Sequence, residues 1–319
     1  MRGWPHEHNG VVGGKEELLR EVVDGDSSMD EERPDPNVIL PSLGFERPGS
    51  TERISGGRDT AIFRVELGGE LHALRVFRPG EDGVARREAL VMRTAGEGGV
   101  PVPRVCAEGM WRDRAALLLS WCPGLPMAEE LAARPWRAWP LGVLFGRCQA
   151  AIHGRPSPEA LRAAERAWID WAGPGEKALA ARLRGTAPRE DSLVHLDYHP
   201  LNVMTEGERI TGVLDWTNAR AGDPRADYAR TLTILRLDSG TDSPSELSVL
   251  RVFEAGWRSG YRRITGRTSD MAPYYAWAGA VMLRDRGPRP DRPGGMTARE
   301  LGRVRAWAER WKKRAEFGG

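Results

Sequence analysis

The chain has 319 residues, of which 40% are hydrophobic, 29% charged and 7% aromatic. This composition is typical of a soluble protein with one large or two modest domains. No window approaches 18 consecutive apolar residues, which excludes a membrane-spanning helix, and no basic-then-apolar stretch indicates a secretory signal. Three cysteines, 16 and 26 residues apart, fit neither a zinc site nor a disulfide framework. We therefore expect reduced thiols and a cytoplasmic location.

The net charge is only +2, but its distribution along the chain is uneven. Residues 1–40 carry ten acids and four bases, whereas residues 280–319 carry eleven bases and five acids. The basic end lacks the pattern of a known nucleic-acid reader, so we expect a solvated helix face there. We expect neither a nucleic acid nor a membrane as a partner.

Residues 1–40 contain too little apolar side chain to form a core, and we predict a mobile acidic extension. Residues 41–121 then show a strand-rich pattern interrupted by one helix. Gly68-Gly69 separates two alternating runs, which is typical of a β-hairpin. The predicted strands are Thr60–Leu67, Glu70–Phe77, Pro103–Met110 and Ala115–Trp121, and the predicted helix is Asp82–Glu97.

Residues 122–319 show mostly helical periodicity around a polar segment at 193–215 that contains short β runs. The predicted helices are Pro140–His153, Ser157–Trp171, Pro224–Leu237, Ser245–Ile264, Ala272–Arg284 and Thr297–Phe317. The sequence therefore predicts an α+β protein with a small β-rich lobe over 41–121 and a larger, mostly helical lobe over 122–319.

The polar segment contains the motif VHLDYHPLNVM, which is followed by ITGVLDW. Asp197 and Asn202 are five residues apart, and Asp215 follows thirteen residues later. Phosphoryl transfer needs one carboxylate to orient and deprotonate the acceptor hydroxyl, and it needs hard oxygen ligands for magnesium. These three residues supply those groups at the spacing of a kinase catalytic loop. Asp and Asn also cap ordinary turns, but the strand pattern on both sides favours the catalytic interpretation.

The runs HLDYHPLN, GVLDW and GDPRADYA resemble the motifs of the aminoglycoside phosphotransferase and choline kinase family. This resemblance extends from about residue 54 to 280 and is most specific between residues 194 and 230. It implies a two-lobed protein-kinase-like fold. The chain departs from the family pattern at Leu196, where glycine is commonest.

The resemblance implies a role for each residue of the motif. Asp197 matches the catalytic base, whereas Asn202 and Asp215 match the metal ligands. His199 matches a position near the transferred phosphate, where it could donate a hydrogen bond or hold the loop in place. Among the neighbouring residues, His195 is expected to brace the loop through its ring nitrogens.

Two further carboxylates of the motif are expected to be structural. Asp223 precedes Pro224 as a helix N-cap would. Asp227 matches a family carboxylate that ties down the catalytic loop.

The small lobe is expected to hold the nucleotide phosphates. Gly56 and Gly57 lie between strand signals, where their backbone N–H groups could cover a triphosphate. This lobe contains no lysine, so Arg75 is the candidate cation for the α- and β-phosphates, with Glu88 as its partner. A surface ion pair without a role in binding is the alternative for these two residues.

The segment from Leu119 to Cys122 falls where the family has its hinge, so the backbone of Ser120 and Cys122 is expected to bind the adenine. The resemblance thus implies an ATP- and Mg²⁺-dependent kinase, with GTP as the alternative nucleotide, that phosphorylates a hydroxyl of a small molecule. Polycationic acceptors need anionic surfaces. Residues 123–319 carry 31 bases and 24 acids, so the charge balance gives no support for such an acceptor.

Two other functions remain as alternatives. A protein kinase is disfavoured because Trp216 follows Asp215, and the interval before Gly222 is too short for an activation segment. A catalytically idle nucleotide-binding module is disfavoured because all three catalytic-site side chains are present.

Overall fold

The computed structural model describes residues 33–54, 61–162, 167–186, 188–288 and 295–317. They belong to two compact units. The first comprises the residues up to Ala85 together with Val105–Trp121, and the second comprises Arg86–Arg104 together with the chain from Cys122 onwards. Among the described helices, none is long and apolar enough to cross a membrane.

The first unit contains a five-stranded antiparallel sheet in the order β1-β2-β3-β5-β4. Its strands are β1 (Thr51–Ile54), β2 (Ala61–Leu67), β3 (Glu70–Val76), β4 (Val105–Trp111) and β5 (Arg114–Ser120). Gly68 and Gly69 join β2 to β3 with φ angles of 58° and 81°. Both angles lie in the left-handed region that glycine adopts without steric cost. The predicted hairpin is therefore confirmed.

The prediction of a mobile extension over residues 1–40 is wrong at its C-terminal end. Helix α1 (Pro36–Ser42) is capped by the Asp35 side chain, which accepts a hydrogen bond from the N–H of Asn37. Ile39 and Leu40 are fully buried in a cluster with apolar side chains of the sheet. The composition of residues 1–40 is mostly polar as a whole, so the prediction overlooked a short apolar run that packs against the sheet. Residues 1–32 lie outside the described residues, so the extension remains a prediction there.

The second unit contains most of the helices. The helices from residue 82 onwards are α2 (Asp82–Glu97), α3 (Met127–Ala133), α4 (Ala138–His153), α5 (Glu159–Arg162), α6 (Lys177–Gly185), α7 (Pro224–Leu237), α8 (Pro244–Thr265), α9 (Ala272–Arg286) and α10 (Ala298–Phe317). All six helices predicted outside 157–171 begin and end within two residues of these bounds.

The helix predicted over Ser157–Trp171 is wrong in its described part. The structure has the short α5 and a separate 3₁₀ helix at Trp168–Ala172. Ala167 between them has an extended backbone, with ψ of 145°, which ends any continuous helix. The N–H of Ser157 donates instead to the carbonyl of Asp191 at 2.7 Å.

Two small sheets of the second unit flank the polar segment. Strand β7 (Ser192–Val194) pairs with β10 (Arg220–Gly222), and β8 (Val203–Glu206) pairs with both β6 (Leu125–Pro126) and β9 (Arg209–Val213). One loop of the polar segment follows β7, and a second loop follows β9. The β8–β9 hairpin holds the two loops together.

Helices α4 and α8 pack unusually closely because glycines face the partner backbone. A Cβ atom added to Gly142 or Gly146 of α4 would overlap backbone atoms of α8, and one added to Gly256 or Gly260 of α8 would overlap backbone atoms of α4. Side chains at these positions would therefore force the two helices apart.

We predict that Gly146→Ala and Gly260→Ala lower the free energy of unfolding by more than about 2 kcal/mol, because the added methyl group overpacks the contact. Urea unfolding measures this change. Gly302→Ala in α10 is the matched control, since its Cβ would enter open space, and better helix propensity should leave it unchanged or up to about 1 kcal/mol more stable. Equal unfolding midpoints for Gly146→Ala and the control would contradict this account of the contact.

Candidate active site

The loop that follows β7 is tied to α7 by the carboxylate of Asp227. Its oxygens accept hydrogen bonds from the N–H of Leu196 at 2.7 Å and the N–H of His195 at 3.2 Å. A third bond, at 2.8 Å, joins Asp227 to Nε2 of His153 on α4. Burial alone would raise the pKa of Asp227, but the hydrogen bonds and charge of His153 lower it below its ordinary value. This carboxylate is therefore ionised and fixes the start of the loop.

Two further side chains on the same face of α7 hold the residues on either side of Asp197. The Nε of Arg230 donates to the carbonyl of Leu196 at 3.3 Å, and the hydroxyl of Thr231 donates to the carbonyl of Tyr198 at 2.8 Å. Positions three and four residues beyond Asp227 lie on one side of a helix. The sequence analysis did not identify Arg230 or Thr231, although their spacing from Asp227 could have indicated them.

Leu196 adopts a left-handed backbone conformation with φ of 62°. For a residue with a Cβ atom this costs roughly 1–2 kcal/mol, which explains why glycine suits the position. The hydrogen bonds from Asp227 and Arg230 of α7 offset this cost, because they satisfy both the N–H and the carbonyl of Leu196.

His195 braces the loop from the other side. Its Nε2 lies 3.0 Å from the carbonyl of Leu214 and therefore carries the proton, which leaves Nδ1 to accept the N–H of Asp197 at 3.3 Å. Burial lowers the pKa of His195, and the nearby carboxylates oppose this shift without cancelling it. The ring is therefore neutral, as its two bonds require.

The loops after β7 and β9 bring four of the predicted site residues together. The side-chain amide of Asn202 donates to the carbonyl of Asp197 at 3.0 Å and to Nε2 of His199 at 3.2 Å. The carbonyl of Asn202 accepts the N–H of Leu214 at 2.8 Å, which places Asp215 next to this group.

The carboxylate of Asp197 remains 24% exposed beside His199, whose Nε2 lies 3.8 Å away. Burial would raise the pKa of Asp197, but the charge and hydrogen bond of His199 and the charge of Arg230 lower it below its ordinary range. Asp197 is thus a partly accessible, ionised carboxylate at neutral pH.

Asn202 and Asp215 offer oxygens suited to a hard divalent cation. The amide nitrogen of Asn202 is used within the loop, which leaves its side-chain oxygen for a ligand. Thr217 donates to Oδ1 of Asp215 at 2.8 Å, and this orients the exposed carboxylate. Within the described residues no cluster of three His, Cys, Asp or Glu side chains could hold a metal. Two hard oxygen ligands suit Mg²⁺, which takes its remaining ligands from phosphate and water.

A family model described as "Phosphotransferase enzyme family" matches residues 50–267. This match covers more than half of the chain.

The chain belongs to the phosphotransferase enzyme family.

Solved structures agree on the fold of this phosphotransferase. A thermostable mutant of aminoglycoside phosphotransferase APH(4)-Ia, solved with ADP and hygromycin B, is 16% identical, with a TM-score of 0.62 over 87% of this chain and 97% of that one. A putative fructosamine-3-kinase from Haemophilus somnus is 13% identical, with a TM-score of 0.55 over 84% and 96%. The predicted α+β kinase-like fold, with a β-rich N-terminal part and a helical C-terminal part, is confirmed.

One curated protein matches over a short segment. The uncharacterized protein YcbJ of Bacillus subtilis is 42% identical over 48 residues, which are 15% of this chain and 16% of that protein.

The residues predicted to bind the nucleotide are spread over both units of the phosphotransferase. Arg75 lies on β3, where its guanidinium is 4.9 Å from the ring centre of Phe77. Ser120 ends β5 and lies opposite His72. Gly56 and Gly57 lie outside the described residues, so the predicted phosphate loop remains a prediction.

The other two predicted nucleotide residues lie in the second unit. Glu88 is buried on α2, with 2% of its surface exposed. Cys122 is buried against Gly212 of β9, and burial raises the pKa of its thiol to about 11. Its thiol is therefore unreactive, and the predicted adenine contact involves only its backbone.

We predict that Asp227→Asn lowers the free energy of unfolding by about 3 kcal/mol at pH 7, because an amide NH₂ would face backbone N–H groups. The pKa of Asp227 is lowered in the folded state, so its stabilisation is present at neutral pH and is lost as the pH falls below about 4. The difference between the two proteins should therefore narrow in acid.

Urea unfolding at a series of pH values tests this prediction. Asp242→Asn, at a carboxylate that is 70% exposed, is the control and should change stability by less than about 0.5 kcal/mol. A constant difference between wild type and Asp227→Asn down to pH 3 would show that the ionised form of Asp227 is not what stabilises the loop.

Proposed function

We propose that this phosphotransferase transfers the γ-phosphoryl group of ATP, with GTP as the alternative nucleotide, to a hydroxyl of a small molecule. The observation that carries the proposal is the convergence of Asp197, Asn202 and Asp215 on two adjoining loops. The nucleotides bound by solved structures of similar fold, ADP and AMP-PNP, support it further.

Asp197 would orient the acceptor hydroxyl and take its proton as the bond to phosphorus forms. Its carboxylate is ionised and partly accessible, and hydrogen bonds from α7 hold the peptide groups around it. A loop fixed in this way keeps the base in one orientation before substrate arrives, which lowers the entropic cost of reaching the transition state.

A magnesium ion at Asn202 and Asp215 would neutralise the charge of the phosphates during transfer. The chain supports such an ion by orienting both ligands. The amide of Asn202 is fixed by two hydrogen bonds, and the carboxylate of Asp215 is fixed by the Thr217 hydroxyl.

His199 could either contact the transferred phosphate or hold the loop, and its contacts favour the second role. Its Nε2 lies 3.2 Å from the side-chain nitrogen of Asn202 and 3.8 Å from the carboxylate of Asp197, so the ring contacts both residues of the loop. His199 then keeps the oxygen of Asn202 directed towards the metal.

The nucleotide would be bound by the remaining predicted residues. We assign Arg75 to the α- and β-phosphates with Glu88 as its partner, and Gly56-Gly57 to the phosphate-covering turn. The backbone of Ser120 and Cys122 would bind the adenine.

A small acceptor fits the short segment after Asp215. Only four residues separate Asp215 from β10, so the described chain has no segment there on which a peptide substrate could lie. The similar structures include a complex with hygromycin B and a putative fructosamine-3-kinase, which supports a small-molecule acceptor. A screen of alcohol acceptors with labelled ATP, scored by mass spectrometry, tests the function directly.

We predict that Asp197→Asn reduces single-turnover transfer by about 10²–10⁴-fold, because the amide keeps the shape of the carboxylate but not its basicity. Nucleotide affinity should stay within a few-fold of wild type. Asp191→Asn makes the same chemical change at an exposed carboxylate just before β7 and should transfer at the wild-type rate. Full transfer by Asp197→Asn would rule out this residue as the base.

We predict that Asp215→Ala abolishes turnover and removes the magnesium dependence of nucleotide binding, because the site loses its only charged metal ligand. Calorimetry with ATP, with and without Mg²⁺, measures this difference for wild type and variant. Asp191→Ala serves as the control and should retain the full magnesium effect. Equal ATP affinity of the wild type with and without magnesium would contradict the metal assignment.

A further inference from the structure

Two arginines of the second unit converge on one backbone carbonyl outside the catalytic loop. Nη2 of Arg87, on α2, and Nη1 of Arg220, on β10, each lie 3.4 Å from the oxygen of Thr217. The two nitrogens are therefore no farther apart than twice that distance. Both contacts are at the long end of the hydrogen-bond range, so one carbonyl only weakly satisfies two guanidinium groups.

Neither arginine forms an ion pair within the described residues, although the charge of the neighbouring Glu88 acts on Arg87. No carboxylate lies within ion-pair distance of either guanidinium, and the half-buried Arg87 has an Nε that is shielded from solvent without any hydrogen-bond partner. Arg220 has one good hydrogen bond, to the carbonyl of Ala219 at 2.7 Å. Several N–H groups of the two guanidinium groups therefore have no hydrogen-bond partner within the described residues.

The two arginines also bring like charges close together. Burial and, to a smaller extent, the positive charge of Arg87 together lower the pKa of Arg220 to about 10. The guanidinium groups of Arg220 and Arg284 lie 5.1 Å and 5.5 Å from the ring centre of Trp171, and Arg284 is ion-paired with Asp285 at 2.6 Å. Like charges gathered at a partly desolvated position favour an anion between them.

We propose that Arg87 and Arg220 form a binding site for a doubly charged oxyanion, namely a phosphate group. A tetrahedral oxyanion can present separate oxygens to two guanidinium groups, each at about 2.7–2.9 Å. Such bonds are stronger than the long contacts to Thr217 that they would replace. The planar guanidinium also matches the geometry of phosphate oxygens better than an ammonium group would.

This phosphate site is distinct from the proposed catalytic groups. It contacts the backbone of Thr217, whereas the Thr217 hydroxyl donates to Asp215. A phosphate held there would stabilise the segment between Asp215 and β10. The phosphate is either the free ion or part of a phosphate monoester, and both share the chemistry that the two arginines recognise.

Titration with inorganic phosphate tests the proposal, with heat of binding and melting temperature as readouts. Sodium chloride and sodium acetate at matched ionic strength control for general salt effects. Wild type should show a saturable rise in melting temperature with phosphate that neither control salt produces. Arg87→Gln and Arg220→Gln should each weaken phosphate binding at least tenfold. Arg86→Gln, at the exposed neighbour on α2, should bind phosphate as the wild type does.

Arg220→Gln could also disturb β10, so Arg87→Gln is the decisive variant, because within the described residues the side chain of Arg87 makes only the long contact to Thr217. Glycerol 3-phosphate distinguishes the two sources, because tighter binding than inorganic phosphate identifies a monoester and weaker binding identifies the free ion. Asp197→Asn should leave phosphate binding unchanged, which separates this site from the proposed catalysis. Phosphate binding no tighter than that of acetate, or unaffected by Arg87→Gln, would overturn the proposal.

Discussion

The buried carboxylate of Asp227 is the constraint on which the candidate active site depends. Its two backbone bonds fix His195 and Leu196 just before the proposed catalytic base. A buried charge is costly unless it is fully hydrogen-bonded. The loop is therefore stable only in the position in which its N–H groups bond Asp227 of α7. The left-handed backbone of Leu196 is a consequence, because the chain must turn there to present Asp197.

This anchor extends into the core through buried polar side chains. His153 bonds both Asp227 and the hydroxyl of Tyr261, and Gln149 bonds both Thr231 and the indole N–H of Trp257. These bonds join α4, α7 and α8. They also require α4 to lie close to α8, which the facing glycines permit. The geometry of the proposed catalytic loop is therefore coupled to helix packing. A change in the distance between α4 and α8 would alter the position of Asp197.

The two proposed metal ligands are brought together by a different element, the β8–β9 hairpin. Pairing of Val203 with Val213 places the residues just outside the hairpin, Asn202 and Leu214, at hydrogen-bond distance. Helix α7 thus orients the proposed base, while the hairpin orients the proposed metal ligands, and Asn202 links the two through its bond to the carbonyl of Asp197.

The sequence by itself determined the family motifs of the candidate site and the regular elements around it. The motif spacing identified Asp197, Asn202 and Asp215, and periodicity located α7, because both signals are local in the chain. Only the tertiary structure decided what depends on distant contacts. The burial of α1 against the sheet, the bond from Arg230 to Leu196 and the meeting of Arg87 with a carbonyl 130 residues away are of this kind. Their energies come from packing between remote segments, which no local pattern encodes.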